Sequence, residues 1–119
     1  MQTTLVFGAS LNPNRYSNIA IKRLVENNKE TYAFGLRSGF VDQVQIKTNL
    51  SEQPKIHIVT LYLNPERQKQ YYKAIIALAP QKVIFNPGTE NPEFYRMLKS
   101  NNIEVEVACT LVLLSTGQY

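Results

Sequence analysis

VFGASLNPNRYSN, residues 6–18, runs from an apolar strand into a turn with one glycine and on toward a helix. A glycine at a strand end lets the backbone pass close to a bound group. A helix starting just beyond it aims free N–H groups and the positive end of its dipole at an anion. The stretch therefore reads as an anion-binding turn in an alternating α/β fold. It lacks the three glycines of the G-x-G-x-x-G dinucleotide fingerprint. Asn12, Pro13, Asn14, Arg15, Tyr16 and Ser17 stand in their place. Gly8, Ala9 and Ser10 form the candidate phosphate turn. Ser10 and Ser17 add hydroxyl donors, and Arg15 brings a guanidinium that can grip a phosphate through two parallel hydrogen bonds. The plain alternative is a solvated loop closed by an N-cap at Ser17.

On either side of this turn strands and helices alternate. Residues 5–7 (LVF), 31–34 (TYAF), 56–61 (IHIVTL), 82–85 (KVIF) and 103–107 (IEVEV) read as strands. The last alternates apolar and charged residues, as an edge strand does. Residues 17–27 predict a helix with Ile21, Leu24 and Val25 on one face. Residues 65–79 predict the clearest helix, with Tyr71, Ala74, Ile75 and Leu78 as its apolar stripe. Residues 92–101 predict a third, with Phe94, Met97 and Leu98 inward. The apolar tail from Cys109 reads best as a short helix. Residues 38–55 break the rhythm, with a short extra strand near 44–47 and irregular chain around it.

Such alternation implies parallel strands joined by right-handed crossovers. The expected fold is α/β: a Rossmann-like, three-layer α/β/α arrangement around a mostly parallel sheet of about five strands, as one domain over residues 1–119. The first strand is expected mid-sheet, with residues 31–34 on one side and 56–61 on the other. That reversal opens the crevice where such sheets bind ligands, beyond the carboxyl ends of the strands.

The composition sets the bounds. The 119 residues are 44% hydrophobic and 18% charged, ordinary values for a globular domain. No apolar run is long enough to cross a membrane, and the first residues carry no signal-peptide pattern. With one cysteine, no internal disulfide is available. A cytoplasmic location is expected from these features. The net charge of +4 favours anionic partners. The basic residues are scattered rather than clustered, which speaks for a small phosphorylated ligand and against nucleic acid.

Unusual residues collect after the strands. Gly35-Leu36-Arg37 follows the second, Tyr62-Leu63-Asn64-Pro65-Glu66 the third and Asn86-Pro87-Gly88 the fourth. Asn64-Pro65-Glu66 and Asn91-Pro92-Glu93 are good helix starts, with Asn as N-cap and Pro at the first helical position. Asn86-Pro87-Gly88 precedes no helix directly and reads as a shaped turn, either beside a ligand or serving the fold alone. The second strand end bears on the ligand's identity. NAD-binding domains place an acidic residue there for the ribose hydroxyls. This chain has Arg37 and no acidic residue from Ala33 to Val41. An arginine suits a ribose phosphate, which NADP carries at the 2′ position and coenzyme A at the 3′ position. Plain NAD is disfavoured, and those two ligands remain.

Catalytic groups are scarce. His57 lies in an apolar run and reads as a packed core residue. Cys109 has no histidine neighbour in sequence and reads as a structural thiol. No cluster has metal-ligand spacing. Residue types and spacing thus favour a binder without chemistry of its own.

Four segments carry a family resemblance: GASLNPNRYS (8–17), LYLNPERQ (61–68), IFNPGTENPE (84–93) and ACTLVLLSTGQY (108–119). Together they resemble the small single-domain CoA-binding proteins, which are similar to the CoA-binding domain of the succinyl-CoA synthetase α subunit. The resemblance implies a Rossmann-like domain holding coenzyme A at the strand ends. It implies that Gly8, Ala9, Ser10, Arg15, Tyr16 and Ser17 surround the phosphates. Gly35, Leu36 and Arg37 then match the segment that contacts the adenosine and its phosphate. Many relatives carry a P-V-N-P type sequence there, where this chain has A-F-G-L-R. Tyr62 and Leu63 match the cleft wall, and Asn86, Pro87 and Gly88 the turn near the pantetheine arm. The synthetase's phosphohistidine segment has no counterpart here.

The expected function is therefore non-catalytic binding of coenzyme A or an acyl-CoA. An NADP-binding reductase-type domain, with Tyr62 as proton donor, is the alternative from another class. A protein-interaction domain with a vestigial nucleotide site is the third.

Overall fold

The computed structural model describes residues 2–119. A seven-stranded sheet runs through the molecule in the order β3-β4-β2-β1-β5-β6-β7. In chain order these are β1 (Thr3–Ala9), β2 (Glu30–Gly35), β3 (Gly39–Val41), β4 (Val44–Lys47), β5 (Ile58–Leu61), β6 (Lys82–Phe85) and β7 (Glu104–Val107). Among the described residues five α-helices accompany them: α1 (Tyr16–Glu26), α2 (Pro65–Gln68), α3 (Tyr72–Leu78), α4 (Pro92–Ser100) and α5 (Thr110–Ser115). All neighbouring strands pair in parallel except β3, which runs antiparallel to β4.

The expected count of about five strands is corrected to seven. The extra strand near residues 44–47 exists as β4. Its partner β3 was hidden because it spans only three residues, too few for an alternating pattern to show. The two are joined through Asp42-Gln43, with Val41 opposite Val44 and Asp42 in the left-handed region at φ 53°. Aspartate tolerates that conformation better than most residues.

The central strands are continuous apolar runs because both faces are covered. On one face Leu5, Phe7, Phe34, Val59, Leu61, Val83 and Phe85 pack with Ile75 of α3 and with Phe94 and Leu98 of α4. On the other, Val6, Ala33 and Ile46 meet Ile21 and Leu24 of α1 and Leu114 of α5. Ile58 and Ile84 meet Leu113 on that same face. The result is helices on both faces of a mostly parallel sheet, as the alternation predicted. The outer strand β7 covers itself with charge, and Lys82 pairs with Glu106 across the β6–β7 ladder at 2.9 Å.

The long helix expected over residues 65–79 is interrupted. Pro65–Gln68 is α-helical, Lys69–Tyr71 tightens into a 3₁₀ turn, and the α-helix resumes at Tyr72. The adjacent tyrosines serve different surfaces. Tyr71 sits against Phe7 and Phe34, with centroids at 5.2 and 5.6 Å. Tyr72 stacks on Phe94 at 4.4 Å.

With β2 on one side of β1 and β5 on the other, chain direction reverses at β1. The crevice this creates lies above the carboxyl end of β1, at Gly8–Ser10.

Candidate functional site

Two close approaches shape the β1 turn. Gly8 has φ 95°, and a Cβ there would lie 3.0 Å from Leu63 Cδ2 and 3.3 Å from the Tyr62 carbonyl carbon. The Tyr62 N–H donates to the Phe7 carbonyl at 2.9 Å. The chain leaving β5 therefore lies directly against the turn. On the other side a Cβ on Gly35 would meet the Ala9 carbonyl oxygen. Only glycine lets the ends of β1 and β2 come this close.

Residues 10–15 fold on themselves through short-range bonds. The Asn12 N–H donates to Ser10 Oγ at 3.1 Å, the Asn14 N–H to Asn12 Oδ1 at 2.9 Å, and the Arg15 N–H to the Asn12 carbonyl at 3.1 Å. Asn18, buried under the loop, donates through Nδ2 to the Ser10 carbonyl at 2.9 Å. Helix α1 then starts at Tyr16, one residue before the N-cap expected at Ser17. Arg15 holds the N-cap position with no side-chain cap, and no acidic residue occupies the first turn. The N–H groups of Tyr16 and Ser17 thus have no intrahelical acceptor and no local carboxylate. That is the electrostatic condition for holding an anion.

Above this turn lies a cleft of about 680 Å³, within the usual range for small-molecule sites. Eleven of the fourteen residues proposed from sequence line it: Gly8, Ala9, Ser10, Arg15, Tyr16, Ser17, Gly35, Leu36, Arg37, Tyr62 and Leu63. They come from four separate elements that only the sheet order brings together. Asn86, Pro87 and Gly88 stand apart from the cleft. Asn86 is 2% exposed and ties three segments. Its amide donates to Thr60 Oγ1 at 2.7 Å and to the Leu61 carbonyl at 3.0 Å, and its Oδ1 accepts from the Thr110 N–H at 2.8 Å. Pro87 and Gly88 are exposed on the turn beyond it.

The cleft also holds six residues not proposed from sequence: Leu11, Asn12, Phe34, Arg67, Gln70 and Tyr71. Phe34 and Tyr71 form an aromatic floor with Phe7 beneath. Leu11 packs over Gly39, where a Cβ would lie 2.7 Å from its Cδ2, so the loop after β1 touches the β3–β4 hairpin. Arg67 was legible as a cation directly after the Asn64-Pro65-Glu66 helix start. That triplet explains itself as a cap: the Arg67 N–H donates to Asn64 Oδ1 at 2.9 Å.

The charge of the lining is one-sided. Arg15, Arg37 and Arg67 line the cleft, no aspartate or glutamate does, and none of the three forms a salt bridge among the described residues. Such a concavity draws anions.

Tyr62 lines the cleft, while its hydroxyl is buried without a hydrogen-bond partner. Burial pushes its pKa up to about 12. The nearby Thr60 and Thr110 hydroxyls pull the other way but are bonded to each other, at 2.7 Å, and offset little. A phenol so placed holds its proton at neutral pH and is a poor acid for hydride-transfer chemistry. His57 clamps the start of the sheet: its Nδ1 accepts from the Thr3 N–H at 3.1 Å. Cys109 is a half-buried free thiol at the start of α5. Among the described residues no group of three or more His, Cys, Asp or Glu is placed to hold a metal ion. No helix is long and apolar enough to cross a membrane.

A family model described as a CoA binding domain matches residues 2–115. None of the curated proteins matches the chain. Among solved structures, an uncharacterized protein is 40% identical, with a TM-score of 0.95 over 100% of this chain and 98% of its own. A Thermus thermophilus protein is 21% identical, with a TM-score of 0.87 over 99% of this chain and 90% of its own. A hypothetical protein from Pyrococcus horikoshii OT3 is 24% identical, with a TM-score of 0.85 over 95% of this chain and 81% of its own. The last two likenesses speak to the fold alone.

Proposed function

The chain belongs to the CoA-binding domain family, and from that premise we propose that it binds coenzyme A or an acyl-CoA in the cleft above β1, without chemistry of its own. The observation that carries the reading is the lining of that cleft: three arginines with no salt bridge among the described residues, and no carboxylate, around a glycine turn and an uncapped helix start. Coenzyme A matches this in kind, with a diphosphate and a ribose phosphate on one molecule. The diphosphate lies on the Gly8–Ser10 turn, where the N–H groups of Tyr16 and Ser17 and the Arg15 guanidinium meet it. The ribose phosphate falls to Arg37, beyond the end of β2. Leu36, exposed beside Arg37, offers apolar surface to the adenine. The wall of Tyr62 and Leu63 and the floor of Phe34 and Tyr71 leave an apolar track for the pantetheine arm.

The non-catalytic part of the reading rests on what the lining offers. Its charged groups are guanidiniums, which do not exchange protons at physiological pH. Its one strongly perturbed phenol, Tyr62, keeps its proton. A carrier, a sensor or an acyl-CoA-responsive partner are the roles open to such a domain.

Titration calorimetry with coenzyme A tests the reading. Saturable binding is expected, weakened roughly tenfold or more in both Arg15→Ala and Arg37→Ala, since each loses charge-assisted hydrogen bonds. Absence of saturable binding at millimolar ligand sinks the proposal. Selective binding of NADPH with no response to coenzyme A transfers the site to the reductase reading.

A further inference from the structure

Two of the three cleft arginines have a phosphate in the reading above; Arg67 has none. Resting on that reading, we propose that Arg67 is the second cation on the diphosphate, gripping it from the β5 side while Arg15 grips it from α1.

Placement carries the first part of the argument. Residues 62 and 63 lie against Gly8, so the chain leaving β5 runs alongside the phosphate turn. Asn64 then caps α2, and its bond to the Arg67 N–H fixes that backbone at the first turn of the helix. Arg67 lines the same cleft as Arg15 and Ser10. Arg37 follows the end of β2, on the opposite side of β1. The turn thus has Arg67 to one side, Arg37 to the other and Arg15 ahead of it.

Charge carries the second part. Glu66 and Lys69, the neighbours of Arg67 on the helix, pair with each other at 3.4 Å. Arg67 takes no part in that pair and has no salt bridge among the described residues. An exposed arginine is commonly a solvated one. Here, however, three guanidiniums share a concave surface that holds no carboxylate, and their summed field favours an anion. A diphosphate presents oxygens to both sides, so two guanidiniums can flank it with planar, paired hydrogen bonds. Gln70 lies one helical turn beyond Arg67 and lines the same wall, where it suits the neutral amides of the pantetheine arm.

The test compares coenzyme A with dephospho-coenzyme A, which keeps the diphosphate and lacks the ribose phosphate. Both are titrated into the wild-type protein, Arg67→Gln and Arg37→Gln at one fixed ionic strength. Arg67→Gln is expected to weaken both ligands by the same factor, roughly tenfold or more, leaving their ratio as in the wild type. Arg37→Gln is expected to weaken coenzyme A alone and to bring the ratio toward one. Among the described residues the Arg67 side chain enters no salt bridge, so the ligand-free melting temperature of Arg67→Gln should equal that of the wild type. Wild-type affinity for both ligands in Arg67→Gln overturns the assignment. So does a loss confined to coenzyme A, which would put Arg67 on the ribose phosphate. A wild-type protein that binds neither ligand overturns the coenzyme A reading, and this proposal with it.

Discussion

Glycine at three of the strand ends is required to different degrees, and the local geometry ranks the cost of replacing it. At Gly35 a Cβ meets backbone, the Ala9 carbonyl oxygen, which cannot move without breaking the β1–β2 junction. At Gly8 it meets the Leu63 side chain first and the Tyr62 backbone at 3.3 Å, with the added strain of φ 95°. At Gly88 only the backbone strain of φ 91° remains, because the space is open. Gly88→Ala should cost about 1 kcal/mol, Gly8→Ala about 2, and Gly35→Ala more than either. Urea unfolding of the three variants checks the order. Asn86→Ala should cost on the order of 3 kcal/mol, because Thr60, Leu61 and Thr110 lose buried partners together. At this scale the sequence was legible where a residue type has one use. Gly8 belongs to this class, as the tight turn at the end of β1. Asn86-Pro87-Gly88 was legible as a turn, but whether an asparagine faces a ligand or its own fold depends on neighbours distant in sequence. Its partners lie 24 to 26 residues away.

Elements with an apolar signature were placed correctly, down to the four-residue β4 and the short α5, but the three-residue β3 and the break inside the long stripe of residues 65–79 were not. The central strands declare themselves as unbroken runs because they are covered on both faces. β3 has three residues and takes its identity from pairing with β4. The break at Lys69–Tyr71 was hidden for a similar reason, since the apolar stripe of residues 65–79 continues across it. Helix α3 ends at Ala79, which holds the left-handed conformation at φ 50° ahead of Pro80. An L-residue pays roughly 1–2 kcal/mol there, partly offset by the greater unfolded-state freedom of glycine. Ala79→Gly should therefore stabilise the protein by roughly 0.5–1 kcal/mol, seen as a rise of a few degrees in melting temperature. Asn91 caps α4 while also bonding Gln68 and Tyr72 through Nδ2. Asn91→Ala should lose about 2 kcal/mol, more than an ordinary cap.

For the molecule as a whole, two buried phenols set an alkaline limit. Burial raises Tyr62 and Tyr119 to about 12. As pH rises the unfolded chain ionises these groups first, so their contribution is complete below pH 10 and is lost between 10 and 12. The loss should reach on the order of 2–3 kcal/mol for each. A pH series of urea unfolding should show it, with the Tyr62 and Tyr119 phenols ionising near pH 12 in an ultraviolet titration. The scale of the whole also decides what the cleft binds, because its arginines come from three elements that meet only through the order β2-β1-β5. The most direct measurement is the melting temperature of the purified protein with coenzyme A, acetyl-CoA, NADP, NAD or ATP in excess. Coenzyme A at about a hundred times its dissociation constant stabilises the folded state by roughly 2.7 kcal/mol, a rise on the order of 10 °C for a domain of this size. That rise with the coenzyme A species, and little or none with the others, is the predicted result. No rise with coenzyme A, or a rise with NADP alone, contradicts the account.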